Sequence, residues 1–177
     1  MTAEQQERLE QCRKALGPCI DGRVEMLREF LDQIGLPEPQ LVDQNAARFV
    51  PALSEWIDAQ AIQPEDRGFL ILRLAALIGE VLTQRGLGNW SLHEDPTSPH
   101  FASYVITTVS GATVVNPFAL AADLVREVEV RGQIPAPTRS ATAIVTHDGR
   151  VPPTLIRVVA EAEIKSFVSL TKRTARG

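Results

Sequence analysis

The stretch GFLILRLAALIGEVLTQRGLG, residues 68–88, is the most apolar run in the chain and decides the fold. A helix that is apolar nearly all round is either buried or crosses a membrane. A crossing helix needs about 20 apolar residues, whereas Arg73, Glu80 and Gln84 interrupt this run. We therefore predict a helix in the centre of one small domain, ended by Gly86 and Gly88.

Four polar side chains form a narrow stripe along this helix. At about 100° per residue, Asp66, Arg73, Glu80 and Gln84 share one side, together with Leu77. The simpler interpretation is a polar face turned to water or to a neighbouring helix. The alternative is that Arg73 or Glu80 is partly buried against a partner from elsewhere, or that Glu80 orients a loop or binds a ligand. An unpaired buried carboxylate costs several kcal/mol, so a buried Glu80 needs such a partner.

The composition limits the class of protein and its partners. The chain has 177 residues, of which 44% are hydrophobic, and a net charge of −4. This predicts one domain with a core of its own and argues against nucleic acid as the main partner. The N-terminus lacks an apolar signal-peptide core, so we expect a cytoplasmic protein without a membrane partner. Cys12 and Cys19 are expected to be reduced structural thiols in that compartment.

The first half of the chain is predicted to be helical. Residues 3–16 form a polar helix that Gly17 and Pro18 end or kink. A second helix is expected at 22–34 from its amphipathic spacing. A third is expected at 44–61, with regular geometry starting only near Pro51 and with Trp56 as a core anchor.

The second half begins with short strands. Residues 89–93, 103–109 and 112–115 have strand patterns, and Ser110-Gly111 is a credible hairpin loop. Asn116 and Pro117 then mark the start of a helix that ends at Gly132. The predicted class is α+β: N-terminal helices and the buried central helix pack on a small antiparallel meander, followed by a further helix and a C-terminal extension.

The C-terminal segment differs in composition. We predict one domain over 1–132, compact from about 20 to 132, and a linker with an extension over 133–177 that includes a helix at 155–170. That helix can fold back on the core or meet a partner. Its predicted apolar stripe contains Ile156, Val159, Ala160, Ile164, Phe167 and Val168.

The densest set of candidate ligands is His93-Glu94-Asp95 with His100. Metal sites need three or four converging ligands, and this spacing matches no His-Glu-x-x-His pattern. In a proline-rich loop these residues are more often solvated. Neither a Gly-x-Ser-x-Gly nucleophile nor a phosphate-binding loop is present. We assign no catalytic residue, no cofactor and no metal.

The middle of the chain, about 70–120, resembles small uncharacterised bacterial α+β proteins. The likeness consists of Gly79-Glu80-Val81 ending an apolar helix, a glycine turn with Trp90, a strand around Tyr104, and Asn116-Pro117-Phe118 opening a helix. Some proteins of this kind occur in toxin-immunity settings. The resemblance implies a fold and transfers no catalytic residue.

Three functional hypotheses follow. The first is a non-enzymatic interaction protein, either an immunity-type inhibitor or an accessory adaptor, acting on a protein partner or by self-association. The second is a small metal-dependent hydrolase that uses the His93–His100 loop, with Glu80 nearby. The third is an oligomeric structural subunit in which 155–170 packs on a neighbouring copy. The residues singled out for interaction or for a polar site are Arg73, Glu80, Trp90, His93, His100, Ile164 and Phe167.

Overall fold

A computed structural model describes residues 1–108, 114–133 and 155–164, with backbone only for 131–133. The helices are α1 (Ala3–Asp21), α2 (Arg23–Gln33), α3 (Val50–Asp58), α4 (Arg67–Gln84), α5 (Pro117–Gln133) and α6 (155–164). The strands are β1 (Asn89–His93), β2 (Ser103–Thr107) and β3 (Val114–Val115). Short 3₁₀ helices span Pro39–Asp43, Ala46–Phe49 and Pro64–Asp66. The predicted α+β class is confirmed.

Helix α4 lies at the centre of the core. Every residue from Leu74 to Leu82 is buried, including Glu80. Gly86, two residues after the end of the helix, has a φ of +68°. The Gly86 N–H donates to the Thr83 carbonyl at 2.9 Å, and the Leu87 N–H donates to the Leu82 carbonyl at 3.0 Å. These two bonds form a Schellman motif, which satisfies carbonyls left free at a helix end.

The sheet is antiparallel, with strand order β1-β2-β3. Asn89 pairs with Thr107 and His93 with Ser103, and on the other side of β2 Ile106 pairs with Val115. Strand β2 ends at Thr107, before the predicted end at 109, and the first two residues of the strand predicted at 112–115 lie outside the described residues. The predicted Ser110-Gly111 hairpin loop lies outside the described residues.

The sheet packs against α4 at Gly79. A Cβ atom on Gly79 would lie 1.9 Å from Cζ2 of Trp90, so only a residue without a side chain lets the indole contact the helix here. Trp90 also meets the Phe118 ring of α5 edge-on, with the ring centroids 6.2 Å apart. The Trp90 side chain therefore extends from β1 to contact both α4 and α5.

The first helix is longer than predicted. Gly17 and Pro18 were expected to end or kink it, but α1 continues through both to Asp21. A proline removes one backbone donor, and the turns on both sides keep their own hydrogen bonds. One of these is the bond from the Gly22 N–H to the Pro18 carbonyl, at 3.0 Å. The α1–α2 boundary consequently lies at Gly22.

Helix α1 contacts the loop after β1. Leu9 is 2% exposed, Arg8 lies 5.8 Å from the centroid of the Phe101 ring, and Arg13 pairs with Glu94 at 3.0 Å. These contacts connect the N-terminal helix to the sheet.

Helix α6 packs on the rest of the chain. Its buried residues, which belong to the same core as those of α4 and α5, are Leu155, Val158, Val159 and Ala162. Arg157 pairs with Glu127 of α5 at 2.7 Å, and Glu163 pairs with Arg85. Two residues of the predicted stripe, Ala160 and Ile164, are exposed instead. The buried face is thus rotated from the predicted one, because it is set by packing on the core.

None of the helices in the described residues is long and apolar enough to cross a bilayer.

Candidate functional site

Glu80 is buried in an ion pair. Its side chain is 6% exposed, and Arg23 at the start of α2 donates a hydrogen bond from Nε to its Oε1. Arg23 also donates from Nη1 to the Ile20 carbonyl at 2.8 Å. Glu80 therefore does not face water, and the alternative of a partly buried pair with a partner from elsewhere is the one observed. The pair fixes the α1–α2 junction to α4, which is a structural role.

Gln84, on the same stripe, connects α4 to the 3₁₀ helices. Its Oε1 accepts from the Ala46 N–H at 2.7 Å, and its Nε2 donates to the Val42 carbonyl at 2.8 Å. Val42 and Ala46 are both fully buried. Because buried backbone groups need hydrogen-bond partners, Gln84 also has a structural role.

Arg73 has a different environment from Glu80. Its guanidinium lies 3.3 Å from the centroid of the Phe69 ring and 5.9 Å from that of Phe30. Nη1 donates to the Phe69 carbonyl at 3.2 Å. Burial lowers the pKa of Arg73, and the nearby Glu29 and Cys19 partly oppose this. Arg73 is thus held against two aromatic rings.

These rings continue into a larger cluster at the surface. Phe30 meets Trp56 and Phe69 edge-on, with ring centroids 5.6 Å and 5.9 Å apart. Phe30 is 2% exposed, and Trp56 packs against the core as predicted. Phe69 is 42% exposed, although it belongs to the apolar run that predicts a buried helix. We call Phe30, Trp56, Phe69 and Arg73 the arginine–aromatic cluster.

Only a weak signal in the sequence points to this cluster. Phe69 sits in a helix that is apolar nearly all round, and such a pattern does not say which face stays exposed. The one usable signal is that Arg73 follows Phe69 by four residues, which places the two side chains together on a helix.

The His93–His100 loop brings two of its predicted residues together. The imidazole centroids of His93 and His100 are 6.3 Å apart in an edge-on arrangement. Glu94 is paired with Arg13. Asp95 accepts hydrogen bonds from the backbone N–H and hydroxyl of Thr97, at 2.9 Å and 2.7 Å, which lower its pKa.

Metal-ligating side chains do not converge in this loop. Across residues 1–108, 114–133 and 155–164, no group of three or more His, Cys, Asp or Glu side chains is placed to hold a metal ion. The geometry of the loop therefore gives the hydrolase alternative no support.

The two thiols lie on one unbroken helix. Cys12 and Cys19 are seven positions apart, and that spacing corresponds to about 10 Å of helical rise, too far for a disulfide. Both are free thiols. Burial raises the pKa of Cys12, an effect that Arg8 partly opposes. A raised pKa disfavours the thiolate, which is the nucleophilic form of the side chain.

The remaining predicted residues do not join the cluster. The Trp90 indole lies between α4 and α5, and its Nε1 is buried without a hydrogen-bond partner among the described residues. Ile164 is 61% exposed on α6. Phe167 lies outside the described residues.

No protein-family model, curated protein or solved structure matches the chain.

Proposed function

We propose that this protein is a non-enzymatic interaction protein, an immunity-type inhibitor or an accessory adaptor. The observation that carries the proposal is the arginine–aromatic cluster, in which a large aromatic ring, Phe69, is 42% exposed beside Arg73. Trp, Tyr and Arg dominate the energetics of protein interfaces, and aromatic residues are enriched there.

The environment of Phe69 suits a binding surface. The Phe30 ring, which packs against the Phe69 ring, is almost fully buried. Arg73 donates a hydrogen bond to the Phe69 carbonyl. Side chains already held in one arrangement lose little conformational entropy when a partner binds. An exposed ring on a well-packed base is therefore a favourable anchor.

The immunity-type version of the proposal draws on two further points. The chain carries a net charge of −4, and acidic binders gain association rate against basic partners. The middle of the chain also resembles bacterial proteins of which some occur in toxin-immunity settings. An adaptor shares the same surface requirement and differs only in whether binding blocks an activity.

The oligomeric-subunit hypothesis keeps one supporting observation. Most of the apolar face of α6 is covered by its own chain, but Ile164 remains 61% exposed. A contact between copies through α6 would have to use this residue.

Site-specific photo-cross-linking tests the proposal in cells of the source organism. A photoreactive phenylalanine analogue replaces Phe69, Ile164 or, as an exposed polar control, Gln6. We expect an adduct with one other protein from position 69, absent at position 6, and a stoichiometric complex when the purified partner is mixed with the wild-type chain. Adducts of equal yield at positions 69 and 6 would overturn the proposal. A self-adduct from position 164 would favour the oligomeric subunit instead.

A further inference from the structure

Helix α1 is joined to α2 by a single residue. The first helix ends at Asp21, the second begins at Arg23, and Gly22 between them caps both. Gly22 has a φ of −91° and a ψ of 10°, and its main departure from α-helical geometry is about 50° in ψ. A rotation of the chain at this one residue therefore converts the two helices into one.

The bend at Gly22 is stabilised by Arg23. The Arg23 Nη1 donates to the Ile20 carbonyl at 2.8 Å. In a continuous helix this carbonyl would accept from the backbone N–H of Val24, four residues later. The bent and the straight forms thus satisfy the Ile20 carbonyl with different donors, so neither form leaves it unpaired.

Few buried contacts hold α1 against the rest of the chain. Of its 19 residues, two are buried, Leu9 and Ile20, and neither belongs to the core cluster around α4. The ion pair of Arg13 with Glu94 is exposed, with 49% and 60% of the two side chains accessible to solvent, and exposed pairs add little stability. A helix attached in this way opens at a lower free-energy cost than the elements of the core.

The surface under α1 fits this helix in particular. The Tyr104 hydroxyl lies so close to Gly17 that a Cβ atom there would approach it to 3.2 Å. Arg8 lies 5.8 Å from the centroid of the Phe101 ring. A second copy of the chain carries the same α1, which makes the same contacts when the two helices exchange. Exchange of an identical element is accordingly a low-cost route to a dimer.

We propose that α1 swings out at Gly22 and exchanges between two copies of the chain, so that each α1 packs on the other copy. In this dimer α1 and α2 form one straight helix. Arg23 keeps its pair with Glu80 of α4 and leaves the Ile20 carbonyl to the Val24 N–H. The inference goes beyond the proposed function, since it concerns self-association through a helix that contributes no residue to the arginine–aromatic cluster.

Two glycine substitutions test the hinge. Alanine is favoured over glycine inside a helix by about fivefold, and in the bent form a Cβ atom on Gly22 would lie 3.3 Å from the Pro18 carbonyl oxygen. Because a dimer contains two hinges, we expect Gly22→Ala to lower the dimer dissociation constant about 25-fold relative to the wild type. Gly68→Ala adds the same helical preference at an open site of α4 and should change the constant less than about twofold.

Analytical ultracentrifugation over a range of concentrations measures these constants. A Gly22→Ala chain that remains monomeric at the highest concentration would overturn the inference. Equal dissociation constants for Gly22→Ala and Gly68→Ala would also overturn it.

Photo-cross-linking between isotopically different chains distinguishes exchange from a contact between two closed copies. An unlabelled Gly22→Ala chain with a photoreactive phenylalanine analogue at position 8 is refolded at high concentration with a ¹⁵N-labelled Gly22→Ala chain that lacks the analogue. We expect the dimer fraction to contain adducts that join position 8 to a ¹⁵N-labelled peptide with Phe101, and the monomer fraction to contain adducts within one chain. Dimers in which position 8 reaches this peptide only within its own chain would refute the exchange.

Discussion

Replacement of Gly79 by alanine examines how the central helix meets the sheet. A Cβ atom at this position would lie 1.9, 2.4 and 2.8 Å from three atoms of the Trp90 indole. Such distances are far inside van der Waals contact, so the ring or the helix must move. Gly68, in the first turn of the same helix, is a matched control, since nothing lies within 4 Å of a Cβ built there.

The two substitutions should change stability in opposite directions. Glycine costs a helix about 1 kcal/mol relative to alanine, so Gly68→Ala should raise the free energy of unfolding by up to that amount. Gly79→Ala gains the same helical preference but overpacks the indole, which costs about 1–3 kcal/mol and occasionally more. Because all three contacts are so short, we place the clash at about 3 kcal/mol, for a net loss of about 2 kcal/mol. The two variants should therefore differ by about 3 kcal/mol.

Urea unfolding followed by circular dichroism measures both values. A shifted midpoint with an unchanged slope would report a change in stability alone. In a Trp90→Leu background the clash is relieved, so Gly79→Ala should become neutral or stabilising there, which a double-mutant cycle detects. If Gly79→Ala is as stabilising as Gly68→Ala in the wild-type background, Trp90 does not pack on α4 and the described junction is wrong.

Four further predictions concern stability and reactivity. Arg23→Met leaves the buried Glu80 carboxylate without its counter-charge and should lower the free energy of unfolding by about 3 kcal/mol. Adding Glu80→Leu to this variant should restore at least half of the lost stability. No restoration in urea melts would contradict the pairing. Gln84→Leu removes the partners of two buried backbone groups and should cost about 2 kcal/mol by the same assay, and a loss below about 0.5 kcal/mol would argue against the bridge. Leu155→Ala should cost about 2–5 kcal/mol if α6 belongs to the core, and an unchanged thermal midpoint would show that it does not. The fourth prediction uses a variant whose only thiol is Cys12. Because burial raises the pKa of Cys12 and the thiolate is the reactive form, the pH at which alkylation accelerates should be higher in the folded protein than in denaturant. Coincident pH profiles in the two states would refute this.

Local signals in the sequence were sufficient for several elements. Asn116 accepts a hydrogen bond from the Ala119 N–H at 3.1 Å, as expected of a helix cap, and α5 begins at Pro117. Gly86 ends α4 in the left-handed conformation that favours glycine. Pro51 was correctly placed near the start of the regular α3 helix. Each of these features depends on a few neighbouring residues, so it can be read from the chain.

The main errors came from contacts between distant residues. The surroundings of Glu80 were left open between water, a neighbouring helix and a buried pair, because its partner, Arg23, lies 57 positions away and no local pattern connects the two. Phe69 was assigned to the core because the apolar run does not reveal which face α2 and α5 leave uncovered.

The candidate site was only partly accessible from the sequence. Arg73 was singled out for its isolation in an apolar helix, which proved informative. The other members of the cluster lie on α2 and α3, and their convergence depends on how those helices pack against α4. Whether His93 and His100 converge could not be predicted from their spacing; their rings lie together, and the carboxylates beside them are engaged with Arg13 and Thr97.

The central claim is that the arginine–aromatic cluster binds a protein partner through Phe69. The most direct test is the affinity of the purified cross-linked partner for the wild-type chain, Phe69→Ala and Ile164→Ala, measured by isothermal titration calorimetry. Phe69 and Ile164 are both exposed apolar side chains, so truncation of the second controls for general loss of apolar surface. We predict that Phe69→Ala weakens binding by at least about tenfold, as expected of a residue at the centre of an interface, and that Ile164→Ala changes it by less than about twofold. An unchanged affinity for Phe69→Ala, or a larger loss for Ile164→Ala, would contradict the claim.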